Sequence, residues 1–158
     1  MIKYIEGDAF KVKTDYLAHQ VNTLGIMGSG IALDVKKNYP NVFIEYARRC
    51  KELGDGLLGT YQAVKADASS LVILNCFTQK GISRTQRVTD YDAIKKVFKN
   101  IEKATKEGKV ITIPYKYGCG LANGEWHIVH QIMKDIFSDS KVVLQIVRRF
   151  PWTEDEMK

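Results

Sequence analysis

The chain has 158 residues, of which 45% are hydrophobic and 10% aromatic, a length and composition typical of one domain with a single core rather than of two domains. No apolar run approaches the roughly 20 residues that cross a bilayer, and the N-terminal segment lacks the cationic and apolar order of a secretory signal, so we expect no membrane partner and a cytoplasmic location. The formal net charge of +6 favours anionic partners, but the basic pairs lie in amphipathic stretches, which favours solvated helix faces over a dedicated nucleic-acid surface.

In the first half of the chain, the residue patterns predict strands that alternate with helices. We expect strands at 2–6, 16–21, 58–65 and 71–77, and helices at 31–38 and 41–53. Glycine-rich residues 25–30 separate the second strand from the first helix. That helix should end before Pro40, because the residue preceding a proline disfavours the α conformation. Asn41 should cap the next helix, which ends before Gly54.

The second half of the chain continues the alternation. We expect helices from Thr89 or Asp90 to before Gly108 and at 125–137, and strands at 110–114 and 141–147. Residues 118–124 read as a loop, and the polar tail 151–158 is expected to be loose. Alternating helices and strands favour an α/β protein, with a mixed, largely parallel sheet between helices. We expect it to form a single domain over residues 1–150.

The segment from Gly25 to Ala32 follows a predicted strand and opens a predicted helix. Glycine lets the backbone approach a ligand closely, and free amides at a helix N-terminus attract anions. The segment therefore indicates a phosphate site, although a tight strand-to-helix turn would also select glycine.

A second glycine-containing segment, from Pro114 to Leu121, likewise lies between a predicted strand and a predicted helix. Two such loops at the carboxyl ends of strands in one α/β sheet would line a single crevice. A diphosphate held between them is the simplest ligand feature that needs both loops. The pair therefore favours a phosphate-binding cleft more strongly than either loop alone.

Other nucleotide-binding and hydrolase motifs do not match these loops. The chain has no G-x-x-x-x-G-K-[ST] phosphate loop. The first loop has the order G-x-x-G-x-G instead of the dinucleotide motif G-x-G-x-x-G, and no acidic residue ends the next strand to hold a ribose. Ser29, between Gly28 and Gly30, misses the G-x-S-x-G nucleophile elbow. We expect Ser29 to contribute its backbone amide.

The spacing of cysteines and histidines predicts neither a disulfide framework nor a metal site. Cys50, Cys76 and Cys119 are an odd number without C-x-x-C spacing. For Cys119, in the second loop, a backbone contact is favoured over a thiolate nucleophile. His127 and His130 can share a helix face, but no third ligand accompanies them. We therefore predict no metal and no cofactor.

Several motifs stand in order and at compatible spacing over about residues 1–147, namely Gly7-Asp8, Leu17 to Asn22 (LAHQVN), Met27 to Ala32 (MGSGIA), Leu57-Leu58-Gly59, Asn75 to Thr78 (NCFT) and Gly118 to Leu121 (GCGL). Together they resemble the macro domain family. The branches that it resembles most are ADP-ribose 1″-phosphate phosphatases and terminal or DNA ADP-ribose glycohydrolases, of phage or bacterial type. The resemblance implies a three-layer α/β/α fold and a cleft for ADP-ribose or ADP-ribose 1″-phosphate. A phage-encoded chain would act in the host cytoplasm.

The resemblance also assigns binding residues. Asp8 would accept a hydrogen bond from the adenine amino group, with the Ala9 amide nearby, and Asn22 would lie near the distal ribose. Backbone amides would hold the two phosphates, namely those of Met27, Gly28, Ser29, Gly30 and Ile31 in the first loop and those of Gly118, Cys119, Gly120 and Leu121 in the second.

His19 matches a histidine proposed to take part in removal of the terminal phosphate in the phosphatase branch. Imidazole titrates close to neutral pH. His19 and Asn22, with the loop amides, would suffice to position water and stabilise charge in phosphomonoester hydrolysis. The alternative is that His19, in a buried strand, is a core residue.

Two departures count against a glycohydrolase. Branches with a lysine nucleophile have it directly after the threonine that matches Thr78, where this chain has Gln79, with Lys80 one residue later. The acidic residue that can follow the glycine loop is replaced by Ala122. Removal of ADP-ribose from protein or nucleic acid stays an alternative, as does a non-catalytic reader or nucleotide sponge.

Overall fold

The computed structural model describes residues 1–158, in which six strands alternate with four helices. The strands are β1 (Ile2–Glu6), β2 (Tyr16–Asn22), β3 (Tyr61–Lys65), β4 (Val72–Gln79), β5 (Val110–Pro114) and β6 (Val143–Arg148). The helices are α1 (Gly30–Asn38), α2 (Pro40–Leu53), α3 (Tyr91–Ala104) and α4 (Trp126–Phe137). Short 3-10 turns cover Gly54–Leu57 and Asp155–Met157. None of the helices has both the length and the apolar character that a membrane crossing requires.

The six strands form one sheet in the order β1-β6-β5-β2-β4-β3. Strand β3 runs antiparallel to β4, and every other neighbouring pair is parallel. The prediction of a mixed, largely parallel α/β sheet is confirmed. Because the five parallel strands end at the same edge of the sheet, the segments that follow them gather there.

Hydrophobic clusters lie on both faces of the sheet, because successive side chains of a strand point to opposite faces. In β2, Ala18 belongs to the cluster formed with α3 and α4, whereas Leu17 and Val21 belong to the cluster formed with α1 and α2. These two clusters produce the three layers of the fold. The bulkiest buried side chains are Phe98, Phe137 and Tyr117 in the first cluster and Tyr46 and Phe77 in the second.

The start of α2 differs from the prediction. Pro40 occupies the first helical turn and Tyr39 is the N-cap, because a proline at this position loses no hydrogen bond. The predicted cap, Asn41, lies inside the helix, where its side chain donates to the carbonyl of Lys65 at 2.9 Å and accepts from the amide of Asp67 at 3.2 Å. The Asn41 cap is therefore wrong, since a tertiary contact uses that side chain instead.

The predicted start of α3 is confirmed, whereas its end comes earlier than expected. Asp90 is the N-cap, and its Oδ1 accepts a hydrogen bond from the Ala93 amide at 2.9 Å. The helix ends at Ala104, because the Thr105 residue that follows has extended backbone angles. The hydroxyl of Thr105 donates to the carbonyl of Ile101 at 2.6 Å and satisfies one of the last helical acceptors.

The polar tail 151–158 packs against the domain, which corrects the expectation that it is loose. Trp152 donates from Nε1 to the carbonyl of Ile5 at 3.1 Å, and its ring lies 5.1 Å from that of Tyr4. Glu156 forms an ion pair with Arg148, at the end of β6. Composition alone suggested a loose tail, whereas these contacts attach it to β1 and to the end of β6.

A chain of buried polar side chains crosses the face of the sheet that α2 covers. Gln62 donates to the carbonyl of Glu45 at 3.2 Å, and its Oε1 accepts from Asn75 Nδ2 at 3.2 Å. Asn75 Oδ1 is therefore the acceptor for His19 Nε2, at 2.7 Å. This order fixes the tautomer of His19 and leaves Nδ1 as a buried lone pair without a partner. Burial lowers the pKa of His19 to about 4.

We expect His19 to make the fold less stable in mild acid. Its pKa is lower in the folded protein than in the unfolded chain, so its contribution to stability is fully present above about pH 6.5 and declines as the pH falls towards 4. The loss is on the order of 3 kcal/mol. Urea unfolding between pH 4 and 7 should show a steeper pH dependence for the wild type than for His19→Gln, which keeps a donor for Asn75 but cannot titrate. Parallel curves would contradict this assignment.

Candidate functional site

The two glycine-containing segments lie side by side, as the sequence predicts. Loop one (residues 23–29) follows β2, and loop two (residues 115–125) follows β5, its neighbour in the sheet. The ladder between these two strands pairs only Tyr16 with Ile111 and Leu17 with Thr112. Because the pairing stops there, β2 and β5 separate towards their carboxyl ends, and a crevice opens between the two loops.

Loop one and the first turn of α1 present a run of free backbone donors. The amides of residues 27–32 donate no hydrogen bond within the protein. The N-cap of α1, Ser29, forms no side-chain cap. A side chain added at Gly30 would meet no atom within 4 Å, and the φ of +57° at this residue is one that other residues rarely adopt. This arrangement can bind an anion through backbone N–H groups alone.

Asn22 holds loop one in shape. Its Oδ1 accepts hydrogen bonds from the Leu24 amide at 3.0 Å and from the Tyr46 hydroxyl at 2.7 Å, while its Nδ2 donates to the carbonyl of Ile26 at 2.8 Å. Only 7% of Asn22 is exposed. Most of its hydrogen-bonding capacity is thus used within the protein, and one amide hydrogen remains for a ligand.

Tyr46 supports loop one, and sequence analysis missed it. It lies on the buried face of α2, and its single hydroxyl hydrogen is shared between Oδ1 and the backbone carbonyl of Asn22, at 2.7 and 2.8 Å. Burial raises its pKa, so the hydroxyl stays a donor. A tyrosine among apolar helix positions is read as core, and no local pattern connects it with a loop that precedes it by a whole helix.

Loop two exposes fewer amides than the resemblance implies. The amides of Gly118, Gly120 and Leu121 donate no hydrogen bond within the protein, but the amide of Cys119 donates to the carbonyl of Lys116 at 2.8 Å. Burial also raises the pKa of the Cys119 thiol to about 11, so this side chain is a neutral thiol near neutral pH. A side chain at Gly120 would meet nothing within 4 Å, and this position faces open space.

A network of polar side chains lies beneath loop two and anchors it to the sheet. Gln20 accepts from the hydroxyl of Thr78 at 2.8 Å and donates to that of Thr89 at 2.9 Å. Thr89 in turn donates to the carbonyl of Gly118 at 2.6 Å, and the hydroxyl of Tyr117 lies 2.7 Å from that of Thr78. Loop two is therefore preorganised by β2, β4 and the residue before the α3 cap.

Just after β1, the carboxylate of Asp8 stands next to the free backbone amide of Ala9. Its Oδ1 accepts from the Phe10 amide at 2.9 Å, and its Oδ2 accepts from Arg149 at 3.2 Å. The Ala9 amide donates no hydrogen bond within the protein. Phe150, which follows Arg149, is 55% exposed. A carboxylate beside a free amide suits a flat heteroaromatic group with exocyclic donors, and the residue before Phe150 is the arginine that contacts Asp8.

His19 does not reach this cleft. It has no exposed surface and lies on the face of the sheet that α1 and α2 cover. Direct proton transfer requires contact with the reacting group, and the hydrogen bond to Asn75 provides none. The core alternative for His19 agrees with this position.

Three residues bear on whether the chain has a lysine nucleophile, and they lie in different environments. Gln79 donates from its side chain to the carbonyl of Gly81 at 2.9 Å and is held at the end of β4. Lys80 is exposed, while its amide donates to the carbonyl of Val88 at 2.8 Å. Ala122 is buried, and its carbonyl accepts hydrogen bonds from the amides of Val88 and Thr89.

His127 and His130 do not share an environment. His127 is exposed, whereas His130 is buried and lies 2.6 Å from the hydroxyl of Tyr4 through its Nε2. Its ring stacks on that of Trp126 at a centroid distance of 5.3 Å. His130 therefore belongs to an aromatic cluster with Tyr4 and Trp126. No three His, Cys, Asp or Glu side chains come together in the structure as a metal site would require.

Comparison with known proteins identifies the family. The Macro domain family model matches residues 18–133. An ADP-ribose 1″-phosphate phosphatase of Candida albicans is 29% identical over 148 residues, which cover 85% of this chain and 93% of the relative. A DNA ADP-ribosyl transferase–DNA ADP-ribosyl glycohydrolase fusion protein of Thermosipho africanus is 31% identical over an alignment of 160 positions that covers 92% of this chain. This chain spans only 41% of the length of the fusion protein.

The fold agrees with the family match. The solved structure of Thermosipho africanus DarTG in complex with ADP-ribose superposes with a TM-score of 0.78 at 25% identity, over 95% of this chain and 43% of that one. The family model covers both β2 with loop one and β5 with loop two. With both loops at one edge of a mixed six-stranded sheet, this chain belongs to the macro domain family.

Proposed function

We propose that this chain binds ADP-ribose in the crevice between loop one and loop two. The observation that carries the proposal is the set of free backbone amides that both loops direct to the same edge of the sheet. A diphosphate has enough oxygens to accept from both loops at once, whereas a single phosphate would leave most of these donors unused. The structure of DarTG with ADP-ribose, which has the same fold, supports this choice of ligand.

The adenine would lie at the end of β1. Asp8 Oδ2, which accepts only from the exposed side chain of Arg149, is available to the adenine amino group. The free Ala9 amide complements a ring nitrogen acceptor, and the exposed ring of Phe150 offers a stacking surface. The distal ribose would then extend beyond the diphosphate towards Asn22.

We propose phosphate removal from ADP-ribose 1″-phosphate as the reaction. Water attacks phosphorus, the bond between phosphorus and the 1″ oxygen breaks, and that oxygen takes a proton, which yields ADP-ribose and inorganic phosphate. Loop amides and the remaining amide hydrogen of Asn22 would position and stabilise the phosphoryl oxygens. The Candida albicans relative, which matches over nearly its full length, supports this reaction. His19 would act only by supporting β2 beneath Asn22.

Hydrolysis of an ADP-ribosylated macromolecule is the second candidate. The Thermosipho africanus relative supports it by its name, and Lys80 is an exposed amine at the end of β4. Against it, Gln79 occupies the position that follows Thr78, and Ala122 offers no carboxylate. A reader without turnover needs the same loops and is the third candidate.

We expect Asp8→Ala to weaken ADP-ribose binding by about tenfold or more, because it removes a charged acceptor for the adenine amino group. Isothermal titration calorimetry with ADP-ribose measures this change. Ribose 5-phosphate, which lacks adenine, is the control ligand, and its affinity should stay the same. Equal losses of affinity for both ligands would mean that Asp8 supports the shape of the loops and does not recognise adenine.

Gly120→Val tests the crevice without disturbing the core. Because its added side chain meets no protein atom within 4 Å, we expect an unchanged melting temperature but a loss of ADP-ribose affinity of about tenfold or more. Gly56→Val is a matched control, since that glycine also borders open space but lies in the turn before β3. Retained affinity in Gly120→Val would rule out a diphosphate beside loop two.

Phosphate release from ADP-ribose 1″-phosphate tests the reaction. We expect turnover by the wild type and a decrease of only a few fold in His19→Gln, because His19 has no exposed surface. Removal of a general acid or base instead costs on the order of 100-fold or more. A loss that large with unchanged ADP-ribose affinity would establish proton transfer by His19. Binding without turnover in the wild type would leave the reader or the glycohydrolase.

A further inference from the structure

Arg148, at the end of β6, closes the turn that leads into the C-terminal strap, which we define as residues 151–158. Its Nε donates to the carbonyl of Phe150 at 3.2 Å, and its Nη2 donates to the carbonyl of Pro151 at 2.6 Å. The side chain is almost entirely buried. One guanidinium therefore sets the path of the backbone immediately after the sheet.

Glu156, in the last 3-10 turn, holds that guanidinium in place. Its two oxygens accept from Nη1 and Nη2 of Arg148 at 2.5 and 2.6 Å. Its Oε1 also accepts from the amide and the hydroxyl of Thr153, at 3.1 and 2.9 Å. The hydrogen bonds from Arg148 lower the pKa of Glu156 to about 2, so the carboxylate is ionised at neutral pH.

Aromatic rings enclose the same guanidinium. The Cζ atom of Arg148 lies 3.9 Å from the ring centroid of Trp152, 4.2 Å from that of Phe150 and 4.8 Å from that of Tyr115. Tyr115 belongs to loop two, and Trp152 is tied to β1 by its hydrogen bond to Ile5. The ion pair between Arg148 and Glu156 thus connects the C-terminal strap to loop two, through Tyr115, and to β1, through Trp152.

The turn closed by Arg148 carries two residues of that end. Arg149 donates to Asp8 at 3.2 Å. The ring of Phe150 contacts Arg148 and lies edge-on to Tyr115 at a centroid distance of 6.2 Å, yet it remains 55% exposed. An exposed ring with a fixed position can stack on a ligand without a further loss of side-chain freedom.

We propose that Glu156, acting through Arg148, is a positioning residue that holds the adenosine end of the cleft in its binding conformation. This inference rests on the proposed binding of ADP-ribose. Glu156 does not touch the ligand. Loss of the Glu156 carboxylate should therefore lower the affinity for ligands that contain adenosine. The affinity for ligands that contact only loop one and loop two should stay the same.

Calorimetry of Glu156→Ala with ADP-ribose, ADP and ribose 5-phosphate tests the proposal. We expect at least a fivefold loss of affinity for ADP-ribose and ADP and no change for ribose 5-phosphate. Asp155→Ala, whose carboxylate is 93% exposed in the same turn, is the matched control and should change neither. Glu156→Gln, which keeps an oxygen acceptor for Arg148, should restore part of the loss. A lower melting temperature with unchanged affinities, or equal losses for all three ligands, would overturn the proposal.

Hydrogen–deuterium exchange without ligand separates this inference from the proposed function. In Glu156→Ala, the amides of Gly7 and Phe10, which donate to the carbonyl of Arg148 at 2.7 Å and to Asp8 Oδ1 at 2.9 Å, should exchange faster than in Asp155→Ala. The hydrogen-bonded amide of Leu24 in loop one should not change. If the wild type binds no ADP-ribose, the proposed function fails and exchange alone decides the role of Glu156. Unchanged exchange at both Gly7 and Phe10 would overturn the positioning role even if ADP-ribose binds.

Discussion

The separation of β2 and β5 is the feature on which the rest of the cleft depends. The two strands pair only at their amino ends, so their carboxyl ends diverge at the centre of a sheet that is otherwise continuous. Loop one and loop two leave the sheet on opposite sides of this gap. Each loop alone is an ordinary strand-to-helix connection, but their opposition makes a site that can grip a chain of two phosphates from both sides.

The proposed grip on the diphosphate depends on backbone groups, and the polar side chains nearby hold the two loops in shape. Asn22 and Tyr46 shape loop one, while Gln20, Thr78 and Thr89 support loop two. Such preorganisation reduces the entropy lost on binding.

Buried and paired ionisable groups in this chain serve architecture. His19 is neutral and completes a row of side-chain hydrogen bonds with Asn75 and Gln62. Glu156 is ionised and neutralises the guanidinium of Arg148, which holds the turn after β6. Burial raises the pKa of the Cys119 thiol, although loop two places it beside the crevice. Proximity in sequence to a glycine loop is therefore a poor guide to which of these groups meets a ligand.

Periodicity and glycine placement were enough to predict the class of fold, the order of the elements and the two loops, because these depend on local chain geometry and on the sidedness of strands. The resemblance to the macro domain family pointed to Asp8 and to the amides of loop one. These amides have no partner within the protein, and ligand binding at both places stays a prediction. The roles of Tyr46, Gln20 and Glu156, the use of the Cys119 amide within loop two and the burial of His19 came only from the tertiary structure. These depend on contacts between segments far apart in the chain, and no local pattern encodes which partner a buried polar group will find.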